Sequence, residues 1–255
     1  MIKYHRKDQI VNALEQQLAL DFNCEVSDFE RSENVIVESG LREGRRVYTS
    51  EKDFFSMVTL GDNAVFSADS VMHEWLRAWS GGKKGFWLFE HPHLMELEGE
   101  LQKFGRHLGQ SHHMFLPEPH IREVKPDVAL RWFEQEEIKS LYGREEFSNA
   151  LCDRFHPERP DVLAVGAVEG EKILGLAGCS ADTGQFWQIG IDVLPEYRGQ
   201  GLGTMLVQLL KNEVFLRGAI PFYGTSLSNL YSWNIAINCD FYPAWVEIRT
   251  VAEKE

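Results

Sequence analysis

The stretch WQIGIDVLPEYRGQGLGTMLVQLL, residues 187–210, passes from a strand period through a glycine-rich turn into a helix period. Ile189, Ile191 and Val193 alternate as a half-buried strand requires, and Pro195 ends the run. Leu202, Met205, Leu206, Leu209 and Leu210 then recur at helical spacing. A helix opening on such a turn presents backbone N–H groups that lack intrahelical acceptors, and its macrodipole favours an anion there. Gly199, Gly201 and Gly203 carry no side chain to obstruct the approach. Arg198, Gly199, Gln200, Gly201, Leu202, Gly203 and Thr204 are therefore the candidate pyrophosphate cradle.

Three readings fit a cradle of this kind: a dinucleotide fold, a P-loop nucleotidase, and an acyltransferase that holds coenzyme A. The first expects G-x-G-x-x-G and the second a Lys followed by Ser or Thr, and neither is present. Arg198-x-x-Gly201-x-Gly203, preceded by Val193-x-Pro195, resembles the central motif of the GNAT acyltransferase superfamily. That motif is Gln or Arg, two residues, Gly, one residue, then Gly or Ala.

A second block carries the same resemblance. Ile220–Thr225 is β-like, and Leu230–Asn238 follows as a helix after Ser226-Leu-Ser-Asn229. The family has an Asn near this helix start, matched by Asn229, and a Gly-Phe pair near its end, of which Phe241 matches while Asp240 stands in place of the Gly. The family's mid-helix Tyr falls on Ala236. The resemblance spans residues 118–255 and implies a central mixed, splayed sheet flanked by helices. Upstream, Val162–Val168 and Lys172–Gly178 form a hairpin around Gly170. Phe133–Tyr142 and Glu145–Cys152 are expected to be short helices, and Ala244–Val251 a closing strand.

Residues 1–117 are expected to form a separate α/β domain, with a degenerate GNAT-like copy as one form it could take. Its helices are expected at Gln9–Leu20, Ser70–Trp79 and Leu94–Leu108, and its strands at Asn34–Glu38, Phe54–Leu60 and Gly85–Phe89. The boundary is placed at Leu116-Pro117-Glu118-Pro119, where prolines interrupt both helix and strand hydrogen bonding. This half resembles the leading part of a bacterial two-part subgroup of acetyltransferases.

The composition, 44% hydrophobic and 12% aromatic, is that of a globular protein that can build a core. A formal net charge of -13 argues against a general nucleic-acid surface, which needs clustered Lys and Arg. The opening MIKYHRKDQI lacks the apolar core of a secretory signal, and no run reaches membrane-spanning length, so a cytoplasmic protein is expected. The four cysteines form no C-x-x-C pair. His91-Pro92-His93 and His112-His113 lie near Glu90 and Glu118, but surface or core-edge positions suit them better than a metal site, and no metal is expected.

The resemblance implies acetyl-coenzyme A as acyl donor, its pantetheine arm lying along strand backbone at Ile191 and Val193 as an added strand would. It also implies an amine acceptor, either a small molecule or a peptide. A lysine-like amine is neutral only to about one part in a few thousand at pH 7, so a base or water chain helps. Strand alternation puts Asp192 on the face opposite Ile191 and Val193. It is a candidate base, cation anchor or turn cap. Ser232, one helical turn before Ala236, is the nearest hydroxyl for the departing thiolate. Two function classes follow: an N-acetyltransferase acting by direct attack of an amine on the thioester, and a non-catalytic coenzyme A sensor.

Overall fold

Period-2 runs become strands and 3.6-residue runs become helices in the computed structural model, which describes residues 6–252. The opening residues 1–5, part of the segment read for a secretory signal, lie outside the described residues. In chain order the elements begin with α1 (Lys7–Asp21), β1 (Val35–Glu38), β2 (Phe55–Thr59), β3 (Ala64–Ala68), α2 (His73–Ser80) and α3 (His91–Leu101). They continue with β4 (Arg106–Leu108), β5 (His112–Pro117), β6 (Ala129–Glu134), α4 (Gln135–Ile138), β7 (Asp161–Glu169) and β8 (Lys172–Ala181). The last are β9 (Phe186–Val193), α5 (Leu202–Leu216), β10 (Ile220–Thr225), α6 (Leu230–Asn238) and β11 (Phe241–Ala252). The described elements gather into two compact units, one of residues 6–10 with Phe115–Pro243 and one of Val11–Met114 with residues 244–252.

In the first unit the strand order is β5-β10-β9-β8-β7-β6. β6 through β9 pair antiparallel, whereas β10 joins β9 in parallel, a connection that needs the α5 crossover. Both faces of β7 are covered. Leu163, Val165 and Ala167 pack with Leu206, Val207, Leu210 and Val214 of α5. Ala164 packs on the other face with Phe133, Ile138, Phe147 and Leu151. Lys211, fully buried on α5, donates from Nζ to the Cys239 carbonyl at 2.8 Å, so a cation caps the C-terminus of α6. Burial pushes its pKa down to about 8.

The second unit orders its strands β1-β3-β2-β11, with β4 also paired to β11. Phe55, Met57, Phe66, Met72, Leu76, Leu97, Leu101 and Ile248 form its core. Beside it lies a buried ion group. Arg46 donates from Nε to Asp21 at 2.5 Å and from Nη2 to Glu247 at 2.7 Å, and Trp245 adds an indole N–H to Glu247 at 2.8 Å.

Several sequence expectations change. Gly85–Phe89 is a 3₁₀ helix rather than a strand, because Gly85 is pressed on the backbone of Asn63, where a Cβ would lie 2.2 Å from a carbonyl carbon. The helix expected over Leu94–Leu108 stops at Leu101. Gly105 turns the chain at φ 65° and Arg106–Leu108 becomes strand β4. Phe133 and Glu134 belong to β6, paired with Ala164 and Leu163, and the Glu134 and Glu137 side chains form a capping box that starts α4 only at Gln135. Glu145–Cys152 holds a single 3₁₀ turn, Glu145–Phe147, because the Asn149 and Ala150 N–H groups are drawn to Asp192.

Candidate functional site

The site grows from the place where β9 and β10 part. They pair from Ile220 opposite Phe186 to Tyr223 opposite Ile189, and no further. Gly190–Val193 and Gly224–Thr225 therefore run apart, leaving strand backbone on this edge unpaired between the two. Ile191 and Val193 turn their side chains towards α5 and α6. A Cβ built on Gly203 would lie 3.7 Å from Ile191, 3.5 Å from Val193 and 3.2 Å from Ile235.

Below Val193 the chain makes a 3₁₀ turn, Pro195–Tyr197, pinned by Lys172, whose ammonium reaches Glu196 at 3.0 Å and the Tyr197 hydroxyl at 3.3 Å. Arg198 folds back and donates from Nε to the Val193 carbonyl at 2.9 Å. Gly201 occupies the left-handed region at φ 80° as the N-cap of α5, where L side chains are strained. The Met205 N–H bonds the Gly201 carbonyl at 3.0 Å, so the N–H groups of Leu202, Gly203 and Thr204 emerge at the helix end without helical acceptors. A Cβ at Gly199 or Gly201 would meet nothing within 4 Å. Open space thus lies over the helix end, and Gln200 is exposed beside it.

The three glycines do different things. Gly199 and Gly201 face open space, whereas Gly203 is buried and lets α5 seat closely on β9 and α6. Gly203→Val is therefore expected to destabilise the domain by about 1–3 kcal/mol through overpacking. Gly201→Ala should cost only about 1 kcal/mol of backbone strain while weakening anion binding. Thermal unfolding and calorimetry on both variants separate the two roles, and equal effects on stability would contradict this division.

Asp192 is on the sheet face away from α5, as strand alternation requires. Its Oδ2 accepts from the backbone N–H groups of Asn149 at 2.7 Å and Ala150 at 2.9 Å, and its Oδ1 accepts from Asn149 Nδ2 at 2.7 Å. Gly190, on the same face, is so close to this turn that a Cβ would fall 1.9 Å from the Asn149 carbonyl oxygen. Because donors approach both carboxylate oxygens, Asn at 192 can accept on one side only and would turn its NH₂ towards a donor on the other. Asp192→Asn should cost about 1–3 kcal/mol in unfolding free energy. An unchanged melting temperature would refute that capping role.

Asn229 caps α6, its Oδ1 accepting from the Ser232 N–H at 3.2 Å. The Ser232 hydroxyl lies 2.7 Å from the hydroxyl of Tyr223, the residue of β10 at the apex of the splay. From sequence Tyr223 is either core or a phenol that folding could bring near Ser232; its ring is buried with Phe115, Ala236 and Phe241. The signal that could have singled it out is the pairing of a small Ala236 with Ser232 one turn earlier, which leaves room for a phenol from the adjacent strand. Burial pushes the Tyr223 pKa up to about 12, the Ser232 hydrogen bond opposing and the charge of Asp192 adding to the rise. Asp240, where the family has Gly, adopts φ 57° and holds Arg122 Nη1 at 3.1 Å and His120 Nε2 at 3.2 Å. Among the described residues no three His, Cys, Asp or Glu side chains are grouped to hold a metal ion, and no helix is long and apolar enough to cross a membrane.

The splayed strands, the glycine turn and the helix end coincide with a family match. Residues 128–241 fit the model of the Acetyltransferase (GNAT) family. These residues are a GNAT acetyltransferase domain. Solved structures similar to the chain include a GCN5-related N-acetyltransferase-like protein from Streptococcus suis, at 14% identity and TM-score 0.49, over 77% of this chain and 83% of that one. A GCN5-related N-acetyltransferase from Sphaerobacter thermophilus matches at 11% identity and TM-score 0.46, over 75% and 73%. An acetyltransferase of the GNAT family from Colwellia psychrerythraea matches at 14% identity and TM-score 0.43, over 56% of each chain. No curated protein matches the sequence. The acyl donor of GNAT enzymes is acetyl-coenzyme A, and the GNAT domain here suits it: three unused N–H donors, unobstructed space at Gly199 and Gly201, and a gap between strands.

Proposed function

We propose that the protein is an acetyl-coenzyme A-dependent N-acetyltransferase that acts on a primary amine of a small molecule, by direct attack of the amine on the thioester. The observation that carries this reading is the α5 N-terminus, opening into free space beside the gap between β9 and β10. Arg198, Gly199, Gln200, Gly201, Leu202, Gly203 and Thr204 would hold the pyrophosphate, the Arg198 guanidinium keeping its η nitrogens for it while Nε holds Val193. Backbone groups of Ile191 and Val193 would pair with the pantetheine arm, and Asn229 would flank it at the start of α6. When bound, acetyl-coenzyme A supplies the acyl group in activated form.

The two polar groups beside the gap lie on opposite faces of the sheet. Asp192 is held rigidly by Asn149 and Ala150, which favours it as an anchor for the cationic amine over a free base, with water taking the proton. On the helix face, Ser232 would pass a proton to the departing sulfur and recover one from Tyr223, whose elevated pKa keeps it protonated at neutral pH. A hydroxyl pair, Tyr223 on β10 and Ser232 on α6, would thus take the place of the family's helix phenol, which is Ala236 here.

Thermal shift with acetyl-coenzyme A, followed by free-thiol release over an amine panel, tests the proposal. Stabilisation with amine-dependent thiol release is expected. Stabilisation with no release on any amine would favour a sensor, and no stabilisation would remove both readings. Arg198→Ala should weaken acetyl-coenzyme A binding by about 10–100-fold, the value of one charged hydrogen-bonded contact. It should leave the KM for amine little changed, and a defect confined to the amine would overturn the assignment.

A further inference from the structure

The turn that holds Asp192 leaves its carboxylate unsaturated. A carboxylate has about four lone-pair directions. On Asp192 the N–H groups of Asn149 and Ala150 take two of them at Oδ2, and Asn149 Nδ2 takes one at Oδ1. Among the described residues nothing else donates to it. The same contact fixes the Asn149 amide. Because a carboxylate only accepts, the amide has to turn its NH₂ to Asp192, and its Oδ1 is left with no donor among the described residues.

These two oxygens are close enough to act on one cation. In an amide the oxygen and nitrogen lie about 2.3 Å apart. With Nδ2 2.7 Å from Asp192 Oδ1, the Oδ1 atoms of Asn149 and Asp192 are at most about 5 Å apart, and a single nitrogen about 2.8 Å from each bridges them. The pair is open to solvent: Asn149 is exposed, Asp192 is half-buried, and the bond between their side chains lies at the surface. The turn reaches this position because Gly190 has no side chain to hold it off the strand. Burial is the main cause of the raised Tyr223 pKa, but the charge of Asp192 adds to it, so this carboxylate lies within electrostatic reach of that phenol.

Donor count and charge select the ligand. Three lone-pair directions remain, one on Asp192 Oδ1 and two on Asn149 Oδ1, beside one negative charge. An alkylammonium brings three N–H donors and one positive charge. An aromatic amine, neutral at pH 7, brings two weak donors and no charge, and a quaternary ammonium brings no N–H. We propose, resting on the acyl-transfer reading for the reaction itself, that Asn149 is a specificity-determining residue and that the acceptor is a primary alkylamine, seated as its ammonium between Asn149 Oδ1 and Asp192 Oδ1. Before attack one N–H yields its proton to water, and the remaining two keep the nitrogen in its seat.

The test is titration of the full chain at pH 7 with propylamine, cyclohexylamine and aniline, followed by the Asn149 side-chain amide resonances in NMR, and then thiol release with acetyl-coenzyme A. Both alkylamines are expected to shift those resonances and saturate, with aniline weaker by about tenfold or more. Asn149→Ala keeps the backbone N–H bonds to Asp192. It should weaken the alkylamines about tenfold and raise the KM for amine, with kcat and the KM for acetyl-coenzyme A near wild type, a separation that loss of packing alone would not produce. The comparison of amines on the wild type stands if that variant does not fold. Aniline bound as tightly as cyclohexylamine, no shift with either alkylamine, or unchanged alkylamine binding in Asn149→Ala overturns the proposal. Alkylamine binding without thiol release upholds the seat and removes the acyl-transfer reading. Thiol release with aniline at the same KM as with cyclohexylamine does the reverse.

Discussion

Replacing Arg46 by methionine is expected to lower the unfolding free energy of the second unit by about 3–5 kcal/mol, because it leaves two buried carboxylates without their cation. Asp21 accepts both the Arg46 backbone N–H, at 2.7 Å, and its Nε, while Glu247 accepts Nη2. Burial by itself would raise the Glu247 pKa. Arg46 and Arg249 outweigh it and hold that carboxyl down at about 2. A folded-state pKa below the unfolded one means that the unfolded chain binds the extra proton between them, so stability contributed by Glu247 is present above about pH 4.5 and lost as pH falls towards 2. The methionine variant should show a much weaker dependence in that window. Urea unfolding measures the loss as a midpoint lower by about 1–3 M, and a midpoint equal to wild type would show that the ion group contributes nothing net.

Tyr223→Phe is expected to lower kcat by about 10²–10⁴-fold, the range for loss of a positioned acid, with little change in the KM for acetyl-coenzyme A. The ring stays and only the hydroxyl facing Ser232 is lost, so packing with Phe115 and Phe241 is retained. Because the Tyr223 pKa is pushed up to about 12, its donor form persists through the ordinary assay range, and wild-type activity should show no basic limb from this group below about pH 10. Ser232→Ala should give a loss of the same kind. If kcat of Tyr223→Phe stays within a factor of two of wild type, the hydroxyl pair serves packing alone.

Local pattern reveals most of the first unit. The alternation of Ile189 and Ile191 and the helical spacing of Leu202, Leu206 and Leu210 survive because both sets face one core. Ile220–Thr225 and Leu230–Asn238 match their expected bounds for the same reason. What pattern cannot reveal is a partner far away in sequence. The turn at Asn149 is decided by a carboxylate 43 residues later, at Asp192, and the 3₁₀ helix at Gly85 by the backbone of Asn63. The glycine turn before α5 was legible because its conformation is a matter of local backbone chemistry. The contact between the Tyr223 and Ser232 hydroxyls was not, since it joins a strand to a helix with no local pattern to announce it.

Pro243 and Ala244 are neighbours in one strand, yet they fall in different compact units, and β11 supplies the second unit with the strand that pairs with both β2 and β4. This has a consequence for biosynthesis. Residues 11–114 leave the ribosome long before residue 244, and at about 5–20 residues per second the wait is roughly 6–26 s. For that interval β2 has an open edge and Arg46 has not met Glu247. The nascent second unit is then a species that chaperones can recognise, and synonymous changes that slow translation between codons 115 and 244 should increase its aggregation without altering a single amino acid.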